Sequence, residues 1–154
     1  GYAVIEPVVC YAAPVAALAT DADETARIIR VSTPIRLVEE IWEAGGIGPA
    51  RRAVMARAAG PKTVLMARLG DRPAGVGFVA VSDGVAMLHA VEVLSHHRRS
   101  GAGRMLLTGA ATWAAGQGAD TLALAVTEEN APARALYEAA GLREAGRYHY
   151  RGRP

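Results

Sequence analysis

Apolar residues follow two different rhythms along this chain, and the rhythm changes near residue 62. Tyr2 to Cys10 reads as a strand; Pro7, with no N–H for a ladder, favours an edge or a bulge. Residues 11 to 24 are alanine-rich, carry Pro14, Asp21 and Asp23, and read as a loop. Ala26 to Ser32 is a short β-branched strand. Ser32-Thr33-Pro34 then resembles a helix entry, a cap followed by proline. Ile35, Val38 and Ile41-Trp42 recur at helical spacing until Gly45-Gly46 stops them, and Pro49 to Ala59 predicts a second helix closed by Gly60-Pro61.

From there short apolar runs alternate with turn chemistry. Thr63 to Arg68, Ala74 to Val81 and Val85 to Leu94 predict three strands of an antiparallel meander, joined at Gly70-Asp71-Arg72-Pro73 and Ser82-Asp83-Gly84. Leu106, Ala110 and Trp113 form one stripe of a helix over Gly101 to Ala115. Thr121 to Thr127 alternates, with Leu122, Leu124 and Val126 on one face. Asn130 to Ala140 predicts a helix with Asn130 as cap and Gly141 just past its end. Leu142 to Tyr150 is a last strand. A meander followed by strand-helix-strand-helix-strand predicts an α/β fold with a mixed central sheet.

Composition narrows the classes. The chain has 154 residues, 51% of them apolar and 21% charged, which suits one folded domain rather than disorder. No apolar run approaches the roughly 20 residues needed to span a bilayer, and the start lacks a secretory pattern. The expectation is no membrane partner and a cytoplasmic location. The net charge is only +2. The arginines are scattered apart from Arg98, Arg99 and Arg104, so no basic stripe marks a nucleic-acid binder, and no nucleic-acid partner is expected. Cys10 is the only cysteine, which excludes an internal disulfide; beside Val8 and Val9 it reads as a small packing group.

The stretch Val91-Glu92-Val93-Leu94-Ser95-His96-His97-Arg98-Arg99-Ser100-Gly101-Ala102-Gly103-Arg104 carries the most chemistry. A strand runs out, a basic glycine-containing turn follows, and a helix begins. Free N–H groups and the positive end of the dipole make a helix start an anion site. Gly101 and Gly103 remove side chains that would hold a phosphate away, and the arginines add charged donors. The pattern is neither a Rossmann fingerprint nor a P-loop, because the third glycine and the Gly-Lys-Ser/Thr are missing. Gly75-x-Gly77 and Gly116-x-Gly118 read as structural. His96-His97 reads as solvated loop residues pointing apart, without a third ligand, so no metal is expected.

Arg98-Arg99-Ser100-Gly101-Ala102-Gly103 resembles the Gln/Arg-x-x-Gly-x-Gly/Ala signature of the GNAT N-acetyltransferase superfamily. Asn130-Ala131-Pro132-Ala133-Arg134-Ala135-Leu136-Tyr137-Glu138-Ala139-Ala140-Gly141-Leu142 is similar to its second signature, Asn-x-x-Ala-x-x-Leu-Tyr-x-x-x-Gly-Phe, with Leu142 for the aromatic. The resemblance implies a mixed sheet of six to seven strands, about four flanking helices and a V-shaped splay between the fourth and fifth core strands. It implies acetyl-CoA as acyl donor and a primary amine, on a small molecule or a peptide, as acceptor. Backbone of Val91 and Val93 would pair with the pantetheine arm. N–H groups of Arg99, Ser100, Gly101, Ala102, Gly103 and Arg104, with Arg98, would hold the pyrophosphate. Asn130 would bond the pantetheine, Ala133 would leave room for it, and an N–H near Val93 would hold the oxyanion.

Two proton transfers need side chains. An alkyl amine with a pKa of roughly 10 must lose a proton, and the departing thiolate gains from a donor. Tyr137 stands where the family keeps its acid; otherwise it packs on the cofactor. Glu92, on the cleft strand among apolar residues, is the candidate base. Many relatives place a glutamate earlier on this strand, where this chain has Met87. His89 is the runner-up base. Tyr148-His149-Tyr150 lines the acceptor pocket or packs across strands. The rival function is a catalytically silent acyl-CoA-binding or sensing module. Residues 1–24 are expected to be a strand and loop attached to a domain over 25–154. The chain opens on Gly1-Tyr2, a faint echo of Gly141-Leu142, so residues 1–10 read as the last strand of an upstream unit, or else as an added strand or tag scar. Edge strands leave room for a homodimer.

Overall fold

The computed structural model describes residues 1–19 and 27–153. In chain order the elements are β1 (Ala3–Pro14), α1 (Val15–Leu18), β2 (Ile28–Val31), α2 (Arg36–Ala44), α3 (Pro49–Ala56), β3 (Lys62–Leu69), β4 (Arg72–Ser82), β5 (Val85–Val93), a 3₁₀ turn (Ser95–His97), α4 (Ala102–Gly116), β6 (Thr121–Thr127), α5 (Ala131–Ala139) and β7 (Arg143–Gly152). The strands form one sheet in the order β2-β3-β4-β5-β6-β1-β7. Its β5–β6 pair is parallel and the others antiparallel, so the sheet is mixed. Among the described residues four helices of eight residues or more and the single turn of α1 flank it.

Period-two alternation sends β6's Leu122, Leu124 and Val126 to the face covered by α4 and α5. There they meet Val9, Tyr11 and Ala13 of β1 and Leu106, Ala110 and Trp113 of α4. The opposite face packs a second core, in which Val38, Ile41 and Trp42 of α2 and Met55 of α3 cover Val64, Met66, Val76 and Phe78. Both helical stripes fall where the sequence spacing puts them.

Of the edge or bulge that Pro7 predicts the structure takes the bulge, and two other expectations need correction. β1 does not lie at an edge; it runs between β6 and β7. Pro7 is tolerated there by a bulge, with a register shift between Ile5 and Val8 and Glu6 at φ 47°. Residues 11 to 14 belong to this strand rather than to a loop, since Tyr11, Ala12, Ala13 and Pro14 pair with Leu124, Ala123, Leu122 and Thr121. Ala-rich sequence does not alternate, and partners on both flanks make the strand. Finally, α2 starts after Ile35, without a side-chain cap from Ser32 or Thr33, and α3 ends at Ala56. The expected boundary between residues 24 and 25 lies outside the described residues, as do Asp21, Asp23 and Ala26. Among the described residues no helix is long and apolar enough to cross a membrane.

Candidate active site

β5 and β6 pair only from Val85–Leu88 against Thr121–Leu124, and beyond Leu88 the two strands part. The register of β5 on β4 slips between Phe78↔His89 and Val76↔Glu92, so an extra residue sits opposite Gly77. Ala90 takes φ 52°, a left-handed value that costs a non-glycine residue about 1 kcal/mol or more. What holds it is Trp42 of α2, fully buried, whose Nε1–H donates to the Ala90 carbonyl at 2.8 Å. Gly75 lets β4 approach the bulge: a Cβ there would stand 2.9 Å from the Glu92 carbonyl and 3.3 Å from Leu106. Gly75-x-Gly77 is therefore structural, as its sequence context suggests.

The strands part around a cleft of about 390 Å³. Gly45, Ile47, Arg51 and Glu92 line it on one side, and Val126, Asn130 and Tyr137 on the other. Glu92 lies over Gly45 at the end of α2, where any side chain would overlap its carboxylate. Burial pushes the Glu92 carboxyl above its usual range, against the opposing charges of Arg98 and Arg51. Tyr137 is only 6% exposed. Burial, then the charge of Glu92, pushes its phenol up to about 12. Its ring centroid is 6.2 Å from that of Tyr11, whose hydroxyl donates to Glu138 Oε1 at 2.6 Å and accepts from Arg134 Nε at 3.0 Å. This network ties α5 to β1. His89 also borders the second core, near Phe78, and burial with the charge of Arg51 lowers its pKa.

At the far end of β5 the chain makes its 3₁₀ turn and enters α4. Arg99 and Gly101 adopt left-handed φ of 62° and 87°. A Cβ on Gly101 would meet nothing within 4 Å, so its requirement is conformational and its surroundings are open. Ser100 Oγ donates to the His97 carbonyl. The first bond of α4 runs from Met105 N–H to Gly101 C=O at 2.9 Å, which leaves the N–H groups of Ala102, Gly103 and Arg104 without intrahelical acceptors. The side chains of Arg98, Arg99 and Arg104 are exposed around them. Gly103 has a second role that its motif does not disclose: a Cβ would come 2.8 Å from Leu136 Cδ2 on α5.

The helix-cap reading of Asn130 holds, with Oδ1 accepting from Ala133 N–H at 3.2 Å. Ala133 lies half-buried against the first core. Val91 and Val93 pack partly on that core as well, on the segment of β5 that has lost β6 as a partner. His96 and His97 do not point apart; the 3₁₀ turn brings their ring centroids to 4.3 Å. Among the described residues no group of three or more metal-ligating side chains accompanies them. Tyr148 and Tyr150 form an exposed edge-to-face pair 5.7 Å apart on β7. Sequence reading missed Trp42, Tyr11 and Arg51. Trp42 looked like helix-stripe packing, Tyr11 fell in the presumed loop, and Arg51 was one of many arginines.

The stretch of sequence that builds this cleft matches a known family model. The description "Acetyltransferase (GNAT) family" matches residues 33–142. The chain belongs to the GNAT acetyltransferase family. It is 36% identical over 76 residues to the uncharacterized N-acetyltransferase YobR of Bacillus subtilis, a match covering 49% of this chain and 31% of that one. The chain thus matches about a third of that relative's length. A GCN5-related N-acetyltransferase from Sphaerobacter thermophilus superposes with a TM-score of 0.67 at 19% identity, over 98% of this chain and 52% of that one. The aminoglycoside N-acetyltransferase AAC(6')-Iy, in complex with CoA, gives 0.62 at 20% identity, over 82% and 99%. These likenesses establish the GNAT fold, including the opened parallel pair that the signature residues imply.

Proposed function

We propose that the protein transfers an acetyl group from acetyl-CoA to a primary amine by direct attack within a ternary complex. The observation that carries this reading is the meeting of Glu92 and Tyr137 across one cleft, at the point where β5 leaves β6. The residues present suit an acyl-CoA. N–H groups at the start of α4, the open left-handed Gly101 and three exposed arginines suit a pyrophosphate. The stretch of β5 without β6, at Val91 and Val93, suits an extended amide-bearing arm, assisted by Asn130 and given space by Ala133. When bound, acetyl-CoA supplies an electrophilic thioester carbonyl and a thiolate leaving group.

The chain's own groups then manage two protons and one developing charge. The Glu92 carboxylate, directly or through a water, takes the proton that the attacking ammonium must lose. An N–H near Val93 stabilises the oxyanion while the C–N bond forms and the C–S bond breaks. Tyr137 Oη gives its proton to the leaving sulfur. Its high pKa keeps that proton in place through neutral pH. The basis for this assignment is proximity and burial, together with family membership.

Calorimetry with acetyl-CoA and a free-thiol assay over a panel of amines test the reading. Binding together with amine-dependent thiol release is the expected result. Binding without release from any amine would instead favour the silent acyl-CoA module. No binding at millimolar cofactor would remove both.

A further inference from the structure

Arg51 of α3 lines the cleft on the same side as Glu92, Gly45 and Ile47. Its neighbour Arg52 is engaged, donating to the Glu39 carbonyl at 3.2 Å and pairing with Glu43 at 3.4 Å. Among the described residues Arg51 has no such ion pair or hydrogen bond, although Glu39, Glu40 and Glu43 lie on the adjacent helix. Its charge nonetheless reaches Glu92, His89 and Tyr148. An exposed guanidinium without an ion pair or hydrogen bond among the described residues therefore lines the same cleft as the carboxylate that would receive the amine.

That pairing of charges selects among amines. A polycation gains from Glu92 and is repelled by Arg51. A neutral-tailed amine leaves Arg51 without a partner. A molecule with an ammonium and a carboxylate satisfies both, and a planar guanidinium binds a carboxylate through two parallel N–H···O bonds.

We propose that the acceptor is a small zwitterion of the amino-acid class, its amine at Glu92 and its carboxylate on Arg51. This rests on the acetyl-transfer reading above. The test uses matched sets of amines with acetyl-CoA: L-phenylalanine, L-phenylalaninamide and phenethylamine, then L-alanine, L-alaninamide and ethylamine. The acid of at least one set is expected to exceed its amide by about tenfold in kcat/KM. Arg51→Ala should collapse that ratio towards one, Arg51→Lys should keep part of it, and Arg52→Ala should keep it whole. Amides or plain amines used as well as their acids in both sets overturn the proposal, as does a ratio untouched by Arg51→Ala. A readout without turnover separates this idea from the catalytic one. N-acetyl-L-phenylalanine should bind the CoA-loaded protein about tenfold more tightly than N-acetylphenethylamine, with the difference lost in Arg51→Ala. Thiol release that is absent for all six amines, with this binding difference intact, sinks the transfer reading alone. Equal binding of the two products sinks the zwitterion.

Discussion

A phenol that holds its proton to about pH 12 and a carboxyl raised by burial make opposite predictions for two neighbouring side chains. Tyr137→Phe removes the proposed acid but keeps the ring that packs beside Tyr11. It should lower kcat by about 10²-fold while acetyl-CoA affinity, measured by calorimetry, stays the same. Undiminished turnover would return Tyr137 to a packing role. Glu92 works as a base only when ionised, so kcat/KM should climb as pH rises through its elevated pKa, and Glu92→Gln should abolish that limb. Stability runs the other way. Because the folded-state pKa is raised, ionising Glu92 costs folding free energy, and the protein loses stability as pH rises through that pKa. Glu92→Gln should therefore melt higher than wild type at about pH 8, with the gap closing below about pH 4. A gap that widens on acidification would show that Glu92 is instead held as a stabilised anion.

At the scale of elements, the bulge in β5 is what turns a parallel pair into a site. Two residues outside the proposed catalytic pair maintain it. Trp42→Phe keeps most of the buried ring but leaves the Ala90 carbonyl unbonded, which should cost about 1–3 kcal/mol in urea melts and lower kcat/KM as the bulge loosens. Gly75→Ala puts a methyl group against the Glu92 backbone, where neither strand yields cheaply. A loss of about 1–3 kcal/mol is expected, with weakened acetyl-CoA binding, since the strand that moves is the one proposed to pair with the pantetheine arm. Unchanged melting in Gly75→Ala would mean that β4 and β5 are looser than their pairing indicates.

The whole molecule depends on β1 more than its place at the start of the chain suggests. It separates β6 from β7, buries Val9, Tyr11 and Ala13 in the first core, and bonds α5 through Tyr11. Deleting residues 1–14 should abolish cooperative unfolding by circular dichroism, since two strands lose their shared partner at once. A deletion variant that still melts cooperatively would show that β6 and β7 can pair without it. Legible in advance were the meander, the two helical stripes, the Asn130 cap and the Arg98–Gly103 turn, because each is encoded within one turn or one strand's alternation. The resemblance to GNAT signatures added the opened sheet, and family membership bears that out. Hidden were the interior position of β1, the closeness of His96 and His97, the grip of Trp42 on Ala90, and the place of Arg51 beside Glu92 in the cleft. Each of these is a relation between segments far apart in sequence or a fold of the backbone that no periodicity marks. Local propensity and spacing decide which elements exist and which face of each is apolar. Only packing them decides which backbone is left unpaired and which charges meet in a cleft, and the proposed chemistry depends on both.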